Sequence, residues 1–386
     1  MSKITFITGH NWKSNRLGGF HKFAEAACKA GHEVVFFSFP RPYYSYFMKQ
    51  ELYNYKSIKE LSKGIEYEVE GQKLINITFP TFKLPNAANK ILSNSMMNAF
   101  ERTSLHSFKR FAKKYFSGTQ VFVFESCDGM IYLDQLKKLF PQAKMVYRPS
   151  DPMMFDGALS RYVENETKML LGADLNILVN KEGLELYRRK IQDFDSKAKY
   201  ELLSNGVDIE SYTKEYECPA LLKKQNTVLY VGAWEVEWPL LFKAAKESPD
   251  LNFIVVCPNY PSTEIKNKVN QSENLFYVPG IKPNEVPAWI TNCNVVMVPY
   301  VTDFYKNRPL GITAKYYQAM AAHKPIVAYC DTPKLKDAGA VVTYKYEDFI
   351  NAVKQAVKTG SKDYSFNLED RRWENITKKF LELIQC

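Results

Sequence analysis

Short β-rich runs alternate with helical stretches along this chain, and they do so in two successive series. The first series begins with an apolar run at Lys3–Thr8, continues with a helical stripe over Gly19–Ala30 and returns to a buried run at Val34–Phe39. A strand, a crossover helix and a second strand are the repeating unit of a parallel sheet. The alternation therefore predicts an α/β architecture built on parallel sheets.

Each series contains enough runs for a sheet of its own. The first has four further expected strands, at Ile75–Phe79, Val121–Glu125, Lys144–Arg148 and Leu175–Val179. The second has five, at Thr227–Val231, Asn252–Cys257, Asn274–Val278, Asn294–Val298 and Pro325–Tyr329. Between the series, Glu210–Gln225 is polar and weakly patterned, which is typical of a linker. The 386 residues are thus expected to form two Rossmann-like domains.

We expect an N-terminal Rossmann-like domain over residues 1–205 and a C-terminal one over 206–365. A final helix over 366–386 is expected to cross back to the first domain. Two Rossmann-like domains facing a central cleft are the GT-B architecture. Because ligands of such sheets bind outside the carboxyl ends of the strands, the loops that follow the strands are the places to look for functional residues.

The net charge of +10 is distributed unevenly along the chain. Residues 1–150 hold 22 Lys and Arg against 11 Asp and Glu, whereas the remainder holds 30 against 31. A basic face suits anionic lipid, an anionic sugar or nucleic acid. No recognised nucleic-acid-binding module occurs in the sequence, so we expect no nucleic-acid partner and keep a basic nucleic-acid-binding protein only as an alternative.

The cysteines and the apolar runs bear on location. Seven cysteines are scattered without a CxxC spacing, which favours reduced thiols in the cytoplasm over disulfides or a zinc site. The start of the chain lacks the apolar core of a secretory signal, and no apolar run reaches the 18 residues of a membrane span. These features predict a cytoplasmic protein.

The segment Ile91–Phe116 combines apolar side chains at helical spacing with basic residues. An amphipathic basic helix with aromatic side chains is typical of contact with a membrane interface. The alternative is a core-packed helix with a solvated basic face. We expect a peripheral protein on the inner face of the cell membrane, with an anionic membrane surface as partner.

Two loops of the second series carry candidate donor-binding residues. Trp234 follows a strand in VGAW, where it could cover a base or a phosphate. Ile281 lies in VPGIK, where its backbone could pair with a uracil edge. Each signal is weak alone, because a glycine after a strand also marks an ordinary turn.

A third loop gives a stronger pattern. A strand ends at Tyr300, and a long polar loop leads to a helix that begins near Thr313. The backbone N–H groups and positive dipole of a helix start suit a pyrophosphate, and Lys315 adds a full charge there. Gln318 lies three residues on, with an amide able to bond both ribose hydroxyls. The alternative is a solvated Lys and Gln on an ordinary helix.

The helix and strand that follow this loop resemble a segment of GT-B glycosyltransferases. QAMAAHKPIVA is similar to the EAMAxGKPVVA segment, in which the Glu holds the ribose. Many retaining members carry a second Glu eight residues earlier. Here the two positions are Gln318 and Leu310, so the pair is absent, which counts against the retaining group.

Two motifs of the first series resemble the xanthan-type (GumK-like) inverting glucuronosyltransferases. VFES at Val123–Ser126 is followed about 20 residues later by VYRPSD at Val146–Asp151. That family is metal-independent and transfers glucuronic acid to a lipid-linked oligosaccharide. The resemblance implies a UDP-sugar donor, a lipid-linked oligosaccharide acceptor, no cofactor and no metal, in polysaccharide biosynthesis.

The same resemblance implies that Asp151 is the general base, and His10 of the first loop belongs to it too. An inverting transfer needs one carboxylate to take the proton of the acceptor hydroxyl. Glu125 and Asp128 are rival bases, and Glu125 could instead orient the first loop. Two further functions stay open: a GT-B hexosyltransferase with another donor, and a non-catalytic sugar-nucleotide binder.

Overall fold

The computed structural model describes residues 2–14, 17–47, 56–233, 235–259, 261–302 and 311–385. The chain divides into two compact units. The first consists of Met1–Ser204 and Glu374–Cys386, and the second of Asn205–Trp373. Each unit is built around its own sheet.

The first unit contains ten of the described strands. They are β1 (Lys3–Thr8), β2 (Glu33–Ser38), β3 (Arg41–Pro42), β4 (Ile65–Val69), β5 (Gln72–Ile77), β6 (Pro80–Thr81), β7 (Thr119–Phe124), β8 (Lys144–Tyr147), β9 (Leu175–Leu178) and β10 (Tyr200–Leu202). Eight of them form one sheet in the order β10-β9-β8-β7-β1-β2-β5-β4, and β3 pairs with β6. All neighbours in the large sheet are parallel except β4, which is antiparallel to β5.

Helices cover this sheet, so its central strands are apolar on both faces. The described helices are α1 (Gly19–Lys29), α2 (Lys56–Leu61), α3 (Asn94–Arg102), α4 (Phe108–Tyr115), α5 (Leu133–Leu139), α6 (Ser160–Gly172), α7 (Lys181–Lys190) and α8 (Phe194–Lys197). Phe6 of β1 and Phe122 of β7 have no exposed surface. The continuous apolar runs of the sequence are therefore core strands, as predicted.

The expected helix over Ile91–Phe116 is interrupted, and this corrects the sequence interpretation. α3 ends at Arg102 and α4 begins at Phe108, each with a serine cap, because Ser93 accepts from the Met96 N–H and Ser107 from the Arg110 N–H. The aromatic side of α4 packs inward. Phe108 stacks on Tyr132 with ring centroids 4.0 Å apart.

The second unit contains six parallel strands. They are β11 (Thr227–Val231), β12 (Asn252–Val256), β13 (Leu275–Val278), β14 (Val295–Pro299), β15 (Ile326–Tyr329) and β16 (Val341–Thr343). Their order is β13-β12-β11-β14-β15-β16. Numbered from one to six, this is the order 3-2-1-4-5-6 of the Rossmann fold.

The remaining described helices begin just after the first unit. They are α9 (Ile209–Thr213), α10 (Trp238–Glu247), α11 (Thr263–Asn270), α12 (Val286–Asn292), α13 (Ala314–Ala321), α14 (Lys334–Asp337), α15 (Tyr346–Thr359) and α16 (Trp373–Ile384). The linker expected at Glu210–Gln225 is thus partly structured, since α9 overlaps it and Tyr212 and Leu222 are buried in the core. Cys218 and Leu221 of the same stretch also pack against this core, so apolar side chains in a polar segment anchor it.

α16 contributes to the core of the first unit. Phe380 stacks on Phe23 of α1 with centroids 4.2 Å apart, and Lys144 of β8 donates to the Leu383 carbonyl at 3.0 Å. None of the helices in the described parts of the chain has the length and apolarity to cross a bilayer.

Each sheet has one point where the strand order reverses. In the first unit it lies between β1 and β7, and in the second between β11 and β14. In parallel α/β sheets, ligands bind in the crevice outside the carboxyl ends of the strands at such a point. The loops after these four strands contain many of the predicted site residues.

Candidate active site

In the first unit, Glu125 follows β7 directly and forms hydrogen bonds with the loops that follow β1 and β8. It is buried directly after β7, and its Oε2 accepts from the Thr8 hydroxyl and, at 3.3 Å, from the Gly9 N–H. Its Oε1 accepts from Ser150 Oγ at 2.6 Å and lies 3.6 Å from His10 Nε2. The structure therefore brings His10 and Glu125 together.

The electrostatics of Glu125 favour an orienting role. Burial alone would raise the pKa of its carboxyl, but hydrogen bonds from His10, Ser150 and Thr8 and the charge of His10 lower it to about 2. A carboxylate with such a low pKa and several donors on its oxygens is a weak proton acceptor. It contacts Thr8, Gly9 and His10, at the end of β1 and in the loop that follows.

Asp128 lies one turn further along, in a buried charge cluster. It forms ion pairs with Lys83 and, at 3.5 Å, with Arg161. Glu101 of α3 shares both cations, and its Oε1 lies 3.0 Å from Lys83 Nζ. Asp128 is therefore paired with the buried Arg161 and the partly buried Lys83.

Asp151 lies on the loop after β8 and is exposed. Its N–H donates to Ser126 Oγ at 3.4 Å, and the Ser150 N–H donates to the same oxygen at 3.1 Å. Arg148 is buried at the start of this loop, where burial lowers its pKa to about 10 while the charges of Glu125 and Asp151 oppose that change. Asp151 is thus a solvent-accessible carboxylate on a loop whose backbone donates hydrogen bonds to Ser126.

Glu166 of α6, which the sequence reasoning missed, contacts the continuation of that loop. Its Oε2 accepts from the Met153 N–H at 2.8 Å and from the Met154 N–H at 2.7 Å. Its Oε1 accepts from the hydroxyls of Tyr147 at 2.7 Å and Tyr187 at 2.8 Å. The available signal was an acidic residue three and four positions before Met169 and Leu170, which places it on the apolar face of the helix.

In the second unit, Lys315 and Tyr300 meet at the point where the strand order reverses. Lys315 Nζ donates to the Tyr300 hydroxyl at 2.5 Å and lies 4.8 Å from the centre of that ring. The ring centre of Tyr230, near the end of β11, is 5.3 Å away. Tyr230 was not predicted, because a tyrosine inside an apolar strand looks like ordinary core.

The start of α13 adds polar groups beside Lys315. Thr313 is the N-cap residue, but its side chain makes no capping hydrogen bond, and its Oγ1 is buried without a hydrogen-bond partner among the described residues. Gln318 lies one turn into the helix and is half-buried. A helix start with a lysine in its first turn is a general anion-binding arrangement.

Two other loops of the second unit, after β13 and β11, contain glycines at constrained positions. Ile281 follows Gly280, whose φ of +98° requires glycine, and is half-buried against the core. A Cβ on Gly232 would lie 2.5 Å from the Tyr230 hydroxyl, so only glycine leaves that ring in place. Trp234 and Leu310 lie outside the described residues.

A cavity of about 360 Å³ lies elsewhere in the first unit. It is lined by α3, α5 and α6, including Arg102, Asp134 and Lys168. None of the predicted site residues lines it. The predicted site residues within the described parts of the chain lie on the loops after the strands and at the start of α13, outside this cavity.

The sequence contains one DxD spacing, Asp193–Asp195. Both carboxylates are on the surface in ion pairs, Asp193 with Lys197 at 3.5 Å and Asp195 with Arg188 at 3.0 Å. Among the described residues, no group of three or more His, Cys, Asp or Glu side chains is arranged to hold a metal ion.

Two family models match the chain, one in each unit. Residues 6–179 match the model described as "Glucuronosyltransferase GumK, N-terminal domain". Residues 225–359 match the model described as "Glycosyl transferases group 1". No curated protein sequence matches the chain significantly.

Solved structures share the fold over nearly the whole chain. Sucrose-phosphate synthase from Thermosynechococcus elongatus has a TM-score of 0.70 at 15% identity, with 99% of this chain and 98% of that chain covered. An α,α-trehalose-phosphate synthase (UDP-forming) from Burkholderia xenovorans has 0.68 at 11%, with coverages of 100% and 99%. Anabaena HepE in complex with UDP and glucose has 0.65 at 12%, with coverages of 100% and 99%.

These matches agree with the two Rossmann-like sheets and with the motifs that suggested them. The chain is a GT-B glycosyltransferase that joins a GumK-type N-terminal domain to a group 1 glycosyltransferase domain.

Proposed function

We propose that this glycosyltransferase moves a sugar from a UDP-sugar to an acceptor hydroxyl with inversion of configuration, and that Asp151 is the general base. The observation that carries the proposal is the placement of Asp151, an exposed carboxylate on a loop that hydrogen bonds to the buried Glu125 and to the half-buried Ser126 hold. In the transfer, Asp151 takes the proton of the acceptor hydroxyl as its oxygen attacks the anomeric carbon, and the bond from that carbon to the diphosphate breaks.

The donor is proposed to bind the second unit. Lys315 and the N–H groups at the start of α13 would stabilise the negative charge of the leaving diphosphate, so that no metal ion is needed. Gln318 would bond the ribose and Ile281 the uracil. Two of the structural neighbours support a UDP-sugar, since one is named UDP-forming and another was solved with UDP and glucose.

Glucuronic acid is the proposed sugar, and a lipid-linked oligosaccharide in polysaccharide biosynthesis the proposed acceptor. The name of the family matched by residues 6–179 supports this choice. The second candidate is transfer of another hexose, which the named synthases among the neighbours favour. A thermal-shift series with UDP-glucuronate, UDP-glucose, UDP-galactose and GDP-mannose separates the two, because the cognate donor should stabilise the protein most.

Peripheral association with the inner face of the cell membrane is part of the proposal. Residues 1–150 carry the whole excess of positive charge. Large apolar side chains around α3 are exposed, above all Ile91 at 87% and Leu105 at 72%. Exposed apolar groups combined with basic charge are the features by which proteins bind anionic bilayers.

Asp151→Asn tests the base. The substitution keeps size and most hydrogen bonding but removes the basic lone pair, so turnover with UDP-glucuronate and a polyprenyl-diphosphate-linked oligosaccharide should fall about 10²–10⁴-fold. UDP affinity should hardly change, because the proposed donor residues belong to the other unit. Asp156→Asn, an exposed carboxylate further along the same loop, is the matched control. Near-normal turnover in Asp151→Asn would move the role to Glu125 or Asp128.

A further inference from the structure

We propose that Glu166 is a positioning residue, whose carboxylate holds the loop after β8 in the conformation that presents Asp151 to the acceptor. The inference rests on the proposed role of Asp151 as base.

All the hydrogen-bonding capacity of this carboxylate is directed at its surroundings. A carboxylate offers about four acceptor sites, and Glu166 receives four hydrogen bonds, two on each oxygen. Two donors are successive backbone N–H groups of the loop, and two are tyrosine hydroxyls. The tyrosines belong to β8 and α7, so the carboxylate links the loop to three regular elements, its own helix included.

Burial of this acid needs a reason, because it is costly. Glu166 has no exposed surface, and within the described residues no Lys, Arg or His forms an ion pair with it. A buried carboxylate without a cation is among the less favourable groups in a protein core. The Met154 N–H is a buried donor and the Met153 N–H a partly buried one, and one carboxylate oxygen accepts from both.

The loop is held on both sides of Asp151. On one side, Ser126 Oγ accepts from the N–H of Asp151 itself. On the other, the Glu166 contacts begin at Met153, two residues on, and Pro152 lies between with its φ angle restricted by its ring. Met154, the second residue bonded to Glu166, is fully buried and fixes the end of the segment. Releasing the Glu166 anchor would let Asp151 move while the rest of the sheet stays in place.

Glu166→Gln is the informative substitution. Glutamine has the same shape but one acceptor oxygen, and its NH₂ group would face two of the four donors. A displacement of about 1 Å at a reacting group costs on the order of 10²-fold in rate, so kcat should fall about 10–100-fold. The donor KM and the affinity for UDP should stay within about twofold, since Glu166 contacts neither in this proposal.

Two further variants separate positioning from general stability. Tyr187→Phe removes one donor to Glu166 and leaves both loop bonds, so its kcat should fall less than that of Glu166→Gln. Asn176→Ala removes two buried hydrogen bonds to the Leu170 and Lys199 carbonyls, away from the loop. It should lower the melting temperature without lowering kcat at temperatures where the protein is folded.

The decisive experiment combines Glu166→Gln with Asp151→Asn. If Glu166 acts only through Asp151, the double variant should have a kcat less than about twofold below that of Asp151→Asn alone. Multiplying losses, or a Glu166→Gln enzyme with normal kcat, would overturn the positioning role. A normal Asp151→Asn enzyme would instead overturn the proposed function, whatever Glu166 does, so the two failures are distinguishable.

Discussion

Replacing Lys315 with alanine is expected to weaken UDP binding through the phosphates alone. Lys315 lies in the first turn of α13, and its Nζ is held by the Tyr300 hydroxyl at 2.5 Å. The amine is therefore already placed at the helix start before any ligand arrives. Alanine has the highest helix propensity, so the substitution should preserve the helix and remove only the charged side chain.

The size of the effect follows from the kind of bond lost. A hydrogen bond to a charged group contributes about 1.5–3 kcal/mol, which corresponds to a loss of about 10- to 150-fold in affinity. The charge of Lys315 already interacts with the buried carboxyl of Asp331, whose pKa burial raises to about 6. Because of this interaction, we expect a loss of affinity near the lower end of that range. We expect a loss of about 10- to 30-fold at ~0.1 M salt.

Calorimetric titration with UDP, UMP and uridine measures this directly. The loss in Lys315→Ala should be largest for UDP, smaller for UMP and absent for uridine, because uridine has no phosphate. Lys354→Ala, which removes a half-buried lysine that donates to the Glu247 carbonyl, is the control. Unchanged UDP affinity, or an equal loss with uridine, would refute the assignment of Lys315 to the phosphates.

Three substitutions and one binding assay test other features of the structure. Gly232→Ala should lower stability by about 1–3 kcal/mol in urea unfolding, because the new Cβ would meet the Tyr230 hydroxyl; no loss would show that this ring moves freely. Phe380→Ala should cost about 3–5 kcal/mol by the same assay, since its ring stacks on Phe23; a surface-like loss below 1 kcal/mol would contradict that packing. The pKa of Glu125 is about 2 in the folded protein and 4.5 ordinarily, so the stability that this carboxyl contributes is present above about pH 4.5 and lost as the pH falls toward 2. Glu125→Gln should therefore reduce the loss of unfolding free energy between pH 4.5 and 2, measured by denaturant unfolding at each pH. The protein should sediment with anionic vesicles and be released by high salt, and equal binding to neutral vesicles, or none to either, would contradict the membrane proposal.

The core strands could be predicted because they are buried on both faces. Lys3–Thr8 and Thr227–Val231 have the bounds read from the sequence, since parallel strands under helices are continuous apolar runs. β4, Ile65–Val69, was missed. It is an edge strand whose Glu66 and Glu68 face solvent, so its alternating pattern resembled a polar connection. β16, with three residues, is too short to show a pattern.

Candidate site residues could be proposed from the sequence where a residue type stands at a recognisable local position. Asp151 stands at the end of an apolar run between two prolines, and Lys315 stands at a helix start after a long loop. Glu166 and Tyr230 gave no such signal, because their contacts depend on which side chains meet across different elements. Four donors from the strand, the loop and a second helix converge on Glu166, and no spacing within one segment encodes that convergence.

The anomeric configuration of the product tests the central claim most directly. ¹H NMR of the glycoside formed from an α-linked UDP-sugar, with EDTA present throughout, reports configuration and metal dependence in one sample. The account predicts a β-linkage formed at an undiminished rate in EDTA, because Asp151 activates the acceptor for a single displacement and Lys315 with the α13 N–H groups stabilises the leaving diphosphate. A product that keeps the α-configuration would contradict the account, since retention needs no base at Asp151.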